Sequence, residues 1–304
     1  MTEYGALLTE LAVPRLAGTA GAEQVRGVLK RELAARGFVP MEHRFTARSL
    51  LHRWGRAPLS GVNVIAVLPD TRVATWLVAH YDAKGQLLSM ASRLIAAALT
   101  LLGLAYLLGL ALRAVHGGPP FGIADVLLGA AGGAGAGMLV ANRVTPRSPG
   151  AVDNASGVVA VFAIVDALPP EAGVGVGVIF PDAEEYGLLG ARALARERPH
   201  LLADTAVLNF DGIDDRGPTI AVMHRGGPLA RRVANAVGAR RARWLPVLVD
   251  GLALAAGARE CVTIVRGNWA TARIVHTPRD TPQRLRLDGA RAVARGVATA
   301  LQST

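Results

Sequence analysis

Cysteine is almost absent from this sequence. Cys261 is the only one in 304 residues, so no intrachain disulfide can form and a reducing compartment is permitted. Aromatic residues are scarce as well, at 5%, and no basic cluster is interleaved with them. That argues against nucleic acid as a partner, although the formal net charge is +10. The positive charge is carried almost entirely by arginine, and anionic lipid headgroups are its better match. Met1 to Gly18 has no apolar signal core and carries Glu3, Glu10 and Pro14, so a secretory signal peptide is not expected.

Charge itself is missing from one stretch. Leu94 to Leu112 runs nineteen residues with neither a charge nor a proline. At ~1.5 Å rise per residue such a helix covers roughly 28 Å, close to the ~30 Å hydrocarbon core of a bilayer. Arg93 and Arg113 bracket it, a Gly- and Pro-rich turn follows at His116 to Pro120, and Val126 to Ala141 is apolar again. Overall, 51% hydrophobic residues and a mean hydropathy of +0.34 exceed what a soluble domain of this size needs, and the excess sits between Leu87 and Ala141. The expectation is a transmembrane helical hairpin, helices at about 94–115 and 122–141, with the lipid bilayer as partner through residues 94–141. Gly129, Gly133 and Gly137 share one helix face, where they would let helices pack closely. Asp125 and Arg113 fall at one level near the tip and are expected to pair. The alternative is a pair of buried helices, or a hydrophobic lid, in a soluble protein.

On either side the pattern is that of an α/β domain, over residues 1–86 and 149–304, with the hairpin segment at 87–148. Strands are predicted at Phe38–Thr46, Val62–Leu68, Val73–Ala79, Val174–Phe180, Ala206–Phe210 and Glu260–Val265. Helices are predicted at Glu23–Arg36, stopped by Gly37, and at Val158–Leu168, Gly187–Arg198 and Asp288–Leu301, with a basic amphipathic one at Leu229–Arg243. The alternation implies a three-layer α/β/α architecture with a mostly parallel central sheet, and no internal repeat is visible.

Chemistry collects at the ends of these elements. His80 follows the third predicted strand, Glu184 and Glu185 the fourth, Asp211 the fifth, and His276 lies beyond the sixth. Asp153 sits in the small-residue turn Gly150–Gly157, where Asn154 and Ser156 are candidates to cap the next helix. Ligands of open α/β sheets bind outside the carboxyl ends of the strands, so these positions converge on one crevice. A set of His and carboxylate groups without thiolate suits a catalytic zinc or a similar divalent metal. Singly, each residue has a plainer reading: a hydrogen-bonding His, a turn-forming Asp, glutamates that cap a helix or face water. Five such sites in this arrangement are hard to explain that way.

His80-Tyr81-Asp82, Asp153-Asn154-Ala155-Ser156-Gly157, Glu184-Glu185-Tyr186-Gly187-Leu188-Leu189-Gly190, the strand ending in Asp211, and His276-Thr277-Pro278 resemble the five successive motifs of the co-catalytic di-zinc aminopeptidases. That family belongs to metallopeptidase clan MH, with glutamate carboxypeptidase and, more distantly, glutaminyl cyclase. Pro14-Arg15-Leu16-Ala17-Gly18-Thr19 and Arg279-Asp280-Thr281 are similar too, and the resemblance covers residues 10–86 and 149–302. It implies a zinc exopeptidase-like fold and two zinc ions, although another divalent metal would suit the same ligands. Asp153 would bridge the pair, His80 and Asp211 would complete one site, and Glu185 and His276 the other. Asp82 would orient His80, and Glu184 would be the general base. Sequence alone would allow Glu184 and Glu185 to exchange roles.

The activity implied is hydrolysis of an N-terminal residue from a peptide or small aminoacyl substrate, with Tyr186 and Trp269 as pocket candidates. A carboxypeptidase, an aminoacyl hydrolase or a glutaminyl cyclase would keep the same metal shell. A non-catalytic membrane interaction protein on this fold would normally have lost ligands. Two departures from the family stand out. Sixty-odd residues separate the His80 and Asp153 motifs where the family has a short loop, and Gly212 follows Asp211 where a bulkier residue is common. The insertion would hold the site near the membrane surface and favour membrane-associated or small hydrophobic substrates. Lys84, Arg93, Arg143 and Arg147 against Arg113 place the catalytic domain in the cytoplasm by the positive-inside rule.

Overall fold

The computed structural model describes residues 3–52, 57–169 and 175–302. Eight strands form one sheet in the order β1 (Val39–Ala47), β2 (Leu59–Val67), β6 (Val176–Phe180), β3 (Thr75–Val78), β7 (Ala206–Ile213), β10 (Glu260–Arg266), β8 (Thr219–Arg225), β9 (Arg240–Ala242). The four central strands, β6-β3-β7-β10, are parallel, with Val78 opposite both Ile179 and Asn209 and Ile264 opposite Phe210. Antiparallel pairs flank them, β1–β2 and β2–β6 on one side and β10–β8 on the other. Residue 174, where the sequence would begin β6, lies outside the described residues.

Side chains alternate across the sheet. Leu77, Val178, Leu208 and Val262 point to the larger core, beneath the helices Glu3–Leu11, Ala20–Ala35, Ser156–Ala167, Pro228–Ala236 and Asp288–Gln302. Trp76, Val78, Ile179, Val207 and Cys261 point to the opposite face, under the helix Leu189–Glu197. The central strands therefore read as continuous apolar runs because both faces are covered. The helix Ser156–Ala167 is apolar all round for the same reason, with Ser156 to Ile164 fully buried.

The edges depart from the sequence expectation. The stretch Leu229–Arg243 is not one helix: it ends at Ala236, turns at Gly238 (φ +62°), and Arg240–Ala242 pairs with β8 as an edge strand. Strand β8 and the first helix carry no strong periodic signal and were not expected. Strand β7 continues through Asp211 and Gly212 to Ile213, so Asp211 lies within the strand rather than beyond it.

Two long helices, Met90–Val115 and Ile123–Ala141, form an antiparallel pair outside this domain. Ser89 Oγ caps the first by accepting from Ser92 N at 3.2 Å. Both are long and apolar enough to cross a membrane, with mean hydropathies of 2.3 and 1.6 over their most apolar windows. Only 17% and 11% of those windows is buried, whereas core helices of a soluble protein would be mostly covered. Near the tip Arg113 pairs with Asp125 at 2.9 Å, as expected, and Tyr106 donates to the same carboxylate. The glycine face needs correction. The helices cross where Gly103 meets Gly132, and a Cβ built at Gly103 would lie 2.5 Å from Gly132 Cα. Gly135 faces the Ala96 carbonyl, whereas Gly133 and Gly137 meet nothing within 4 Å. Of the three glycines singled out by spacing, only Gly129 touches the other helix, through Leu107. Period-four spacing identifies a face but not which partner it turns to.

The hairpin returns to the domain through a two-stranded ribbon, β4 (Gly85–Gln86) with β5 (Val144–Thr145), and Asn142 Oδ1 accepts from Leu88 N at 3.0 Å. The root of the hairpin thus begins three residues beyond Asp82.

Candidate metal centre

Strands β3, β6 and β7 deliver their residues to one end of the sheet, and Asp153 comes to meet them from the turn before the buried helix. His80 Nε2 lies 3.2 Å from Asp153 Oδ1 and 3.7 Å from Asp211 Oδ1. His276 Nε2 lies 2.9 Å from Asp153 Oδ2 and 3.1 Å from Glu185 Oε1. Asp153 therefore turns one oxygen to each of two His–carboxylate pairs. Within each group of three, the potential ligand atoms all fall within 4.8 Å of one another. Glu184 is close by, with Oε2 4.0 Å from His80 Nε2. All seven residues named from the sequence are brought together here, including Asp82.

The donor set fits a metal. The Nε2 atoms of His80 and His276 are buried and have no hydrogen-bond partner among the described residues, yet both face carboxylates. Buried polar atoms are rarely left without a partner, and a cation between them and the carboxylates would satisfy both. At His276 the fit has one condition. Ligation through Nε2 leaves the ring proton on Nδ1, where the Arg93 guanidinium now makes close contact, so Arg93 would have to withdraw.

Supporting contacts hold the donors in place. The Asp82 carboxylate accepts from the backbone N–H of Glu184 at 3.0 Å and of Glu185 at 3.3 Å. His80 Nδ1 is nearer to the Asp82 carbonyl, at 3.1 Å, than to its carboxylate, at 3.5 Å. Asp82 thus orients both glutamates as well as the histidine, more than the sequence implied. Asp280 accepts from Val152 N at 2.8 Å and Asp153 N at 3.1 Å, fixing the bridging candidate. Arg15, almost fully buried, donates to the carbonyls of Tyr81, Pro149 and Gly150, tying the His80 and Asp153 loops together. Neither Asn154 nor Ser156 caps the helix. Asn154 spans to β7, donating to Phe210 O and accepting from Gly212 N, while Ser156 Oγ accepts from Ile213 N. Gly212 adopts φ +63° with open space around its Cβ position, a backbone state that explains glycine there. Ala183 (φ +55°) and His276 (φ +65°) hold the same left-handed conformation without being glycine, and strain of this kind gathers at functional sites.

Three charged residues were not expected in the site from sequence, where Lys84 and Arg93 count only as charges flanking the hairpin. Lys84 is buried, with Nζ 2.8 Å from Glu185 Oε2, which leaves Oε1 facing His276. Arg93 reaches His276 from the first turn of the hairpin. Asp250 is fully buried, and neither carboxylate oxygen meets a donor among the described residues. Of the pocket candidates, Tyr186 is instead packed in a small core, its ring edge-on to His52, whereas Trp269 is exposed.

The electrostatics divide the carboxylates into two kinds. Burial pushes Glu184 well above the ordinary range, and repulsion from Glu185 and Asp211 adds to this despite the attraction of His80. Burial would also raise Glu185, but His276 and Lys84 outweigh it and hold its pKa at about 2. Asp153 is likewise held low, because His276 and His80 overcome its burial. Burial lifts Asp250 to about 8 and Asp280 to about 6. Of the two neighbours, Glu184 thus favours its protonated form and Glu185 its ionised form.

Comparisons with known proteins bear on the family and the fold. The family model described as Peptidase family M28 matches residues 63–301. Among solved structures, glutaminyl cyclase from Porphyromonas gingivalis is 16% identical with a TM-score of 0.66, over 99% of this chain and 96% of that one. A Zn-dependent exopeptidase from Parabacteroides distasonis is 16% identical with a TM-score of 0.66, covering 99% of this chain and 97% of that one. A zinc aminopeptidase from Bacillus subtilis is 11% identical with a TM-score of 0.64, over 99% and 94% respectively. No curated protein sequence matches significantly.

Proposed function

The chain belongs to peptidase family M28, and from that premise we propose that it is a membrane-anchored zinc aminopeptidase. The observation that supports this most is Asp153, which turns one oxygen to His80 and the other to His276. In this reading His80, Asp153 and Asp211 hold one zinc ion, and Asp153, Glu185 and His276 hold a second. Bound there, zinc supplies a Lewis acid for the substrate carbonyl and makes water acidic enough to be deprotonated near neutral pH.

The remaining chemistry belongs to the chain. Glu184, ionised beside the bound cations, accepts a proton from the attacking water at its carboxylate and delivers it to the leaving amine. Asp82 fixes the Glu184 backbone, and so the reach of that carboxylate, through a single hydrogen bond of 3.0 Å. The two long helices cross the bilayer. With Lys84 paired inside the site and Arg93 turned onto His276, Arg143 and Arg147 remain at the root against Arg113 at the tip, a balance that supports a catalytic domain on the cytoplasmic side. Substrates are peptides or small aminoacyl compounds with a free amino terminus.

A second reading, a glutaminyl cyclase, is kept because solved cyclases share the fold. One experiment separates the two. Detergent-purified, zinc-loaded protein is incubated with a peptide bearing an N-terminal leucine and one bearing an N-terminal glutamine, and products are read by mass spectrometry. Release of the leading residue supports the aminopeptidase, and loss of ammonia with no cleavage supports the cyclase. Neither product from a panel of N-terminal residues, with zinc bound, would overturn both.

A further inference from the structure

The hairpin is not hung on a remote part of the catalytic domain. Gln86 N donates to the main-chain carbonyl of His276 at 2.8 Å, and Arg93 contacts the imidazole of the same residue. The short helix Trp269–Ala272, which leads into His276, packs against the helix Met90–Val115. The His276 side of the metal site and the root of the hairpin are therefore directly adjacent.

The surface around that place is apolar and basic. Leu87 at the root is 64% exposed and Trp269 is 53% exposed. Leu50 and Leu51 are exposed on a loop whose His52 ring rests against Tyr186, next to Glu185. Arg143, Arg147, Arg273 and Arg279 are all exposed in the segments that carry the root and His276. The acidic residues of those segments, Asp82, Asp153 and Asp280, are all buried, so the outward charge there is uniformly positive. Exposed large apolar groups beside unpaired-sign arginines match the interfacial zone of an anionic leaflet, where aromatic and aliphatic side chains sit among headgroups.

We propose that this rim is a second membrane contact: the mouth of the metal site docks on the anionic phospholipid surface of the bilayer that holds the hairpin. The proposal rests on the membrane-anchored reading above. It means that substrates reach the site along the membrane surface, with amino termini presented at headgroup depth. The rim's continuity with the hairpin favours the bilayer over a protein partner, and its positive charge matches an anionic leaflet.

The test uses the full chain reconstituted in vesicles of phosphatidylcholine and phosphatidylserine whose acyl chains carry bromine near the carbonyl end. Bromine quenches tryptophan only at short range, and Trp76 is buried in the domain core. Trp269→Phe is expected to remove a clear share of the bromine-dependent quenching. Leu87→Trp in that background is expected to restore it, and replacing phosphatidylserine with phosphatidylcholine to weaken both signals. Quenching unchanged by Trp269→Phe, together with an unquenched Trp at position 87, would overturn the proposal if the protein resists extraction by alkaline carbonate. Release by carbonate would instead overturn the membrane anchoring itself, and the docking with it.

Discussion

Asp82→Asn is the most informative single substitution. The residue is fully buried, and its carboxylate accepts from the backbone N–H groups of Glu184 and Glu185 at 3.0 and 3.3 Å. Asparagine keeps the shape but only one accepting oxygen, so one of those N–H groups would face an NH2 group. A buried donor left without a partner costs about 1–3 kcal/mol. For a domain of this size that corresponds to a fall in Tm of about 2–4 °C per kcal/mol. Because Glu185 shifts with its backbone, zinc affinity should fall about 10–100-fold, the usual effect of changing a group that orients a ligand. Competition against a fluorescent zinc chelator and thermal unfolding in detergent read the two effects separately. Zinc affinity and Tm both equal to wild type would refute the view that Asp82 organises the glutamate pair.

Further outcomes follow from other contacts. Glu184→Gln should lower peptide turnover about 10²–10⁴-fold while zinc content, read by elemental analysis, stays at the wild-type level. Gly132→Leu should destabilise the hairpin, since a Cβ there would lie 2.7 Å from Gly103 Cα, whereas Gly133→Leu should not; thermal stability in detergent and gel filtration distinguish them. The pKa of Asp250, raised to about 8 by burial, favours the protonated folded state. Stability from this group is thus fully present below the unfolded value of ~3.9 and is lost as pH rises through about 8. Asp250→Asn in chelator-treated protein should therefore gain stability over wild type progressively from pH 4 to pH 8, by on the order of a few kcal/mol at the upper end, read as a rising Tm difference. A gain independent of pH would contradict that origin.

The centre of the molecule was legible in the sequence because its signals are local. Strands β3, β6 and β7 are short apolar runs, each leading to or carrying a reactive residue, and parallel α/β topology brings such positions together. The hairpin was legible from length and composition, and the Arg113–Asp125 pair from its register across the turn. What was hidden depends on tertiary contact. Strand β9 exists through pairing with β8, and nothing in Arg240–Ala242 itself favours a strand. Lys84 and Arg93 read as topogenic surface charges until the fold turns them onto Glu185 and His276. Asn154 and Ser156 have the chemistry of helix caps, but strand β7 offers them nearer partners. Asp280 and Arg15 were visible only as pieces of a resemblance, and the contacts that make them supports of Asp153 and its loop span more than a hundred residues.

The account turns on a bridged pair of metal sites at Asp153, and metal content tests it most directly. Detergent-purified protein, loaded with zinc and freed of excess, is measured by elemental analysis beside Asp153→Ala. The account expects about two zinc ions per wild-type chain and loss of most of both in the variant. No zinc retained by wild type, or zinc retained equally by a folded Asp153→Ala, would contradict it.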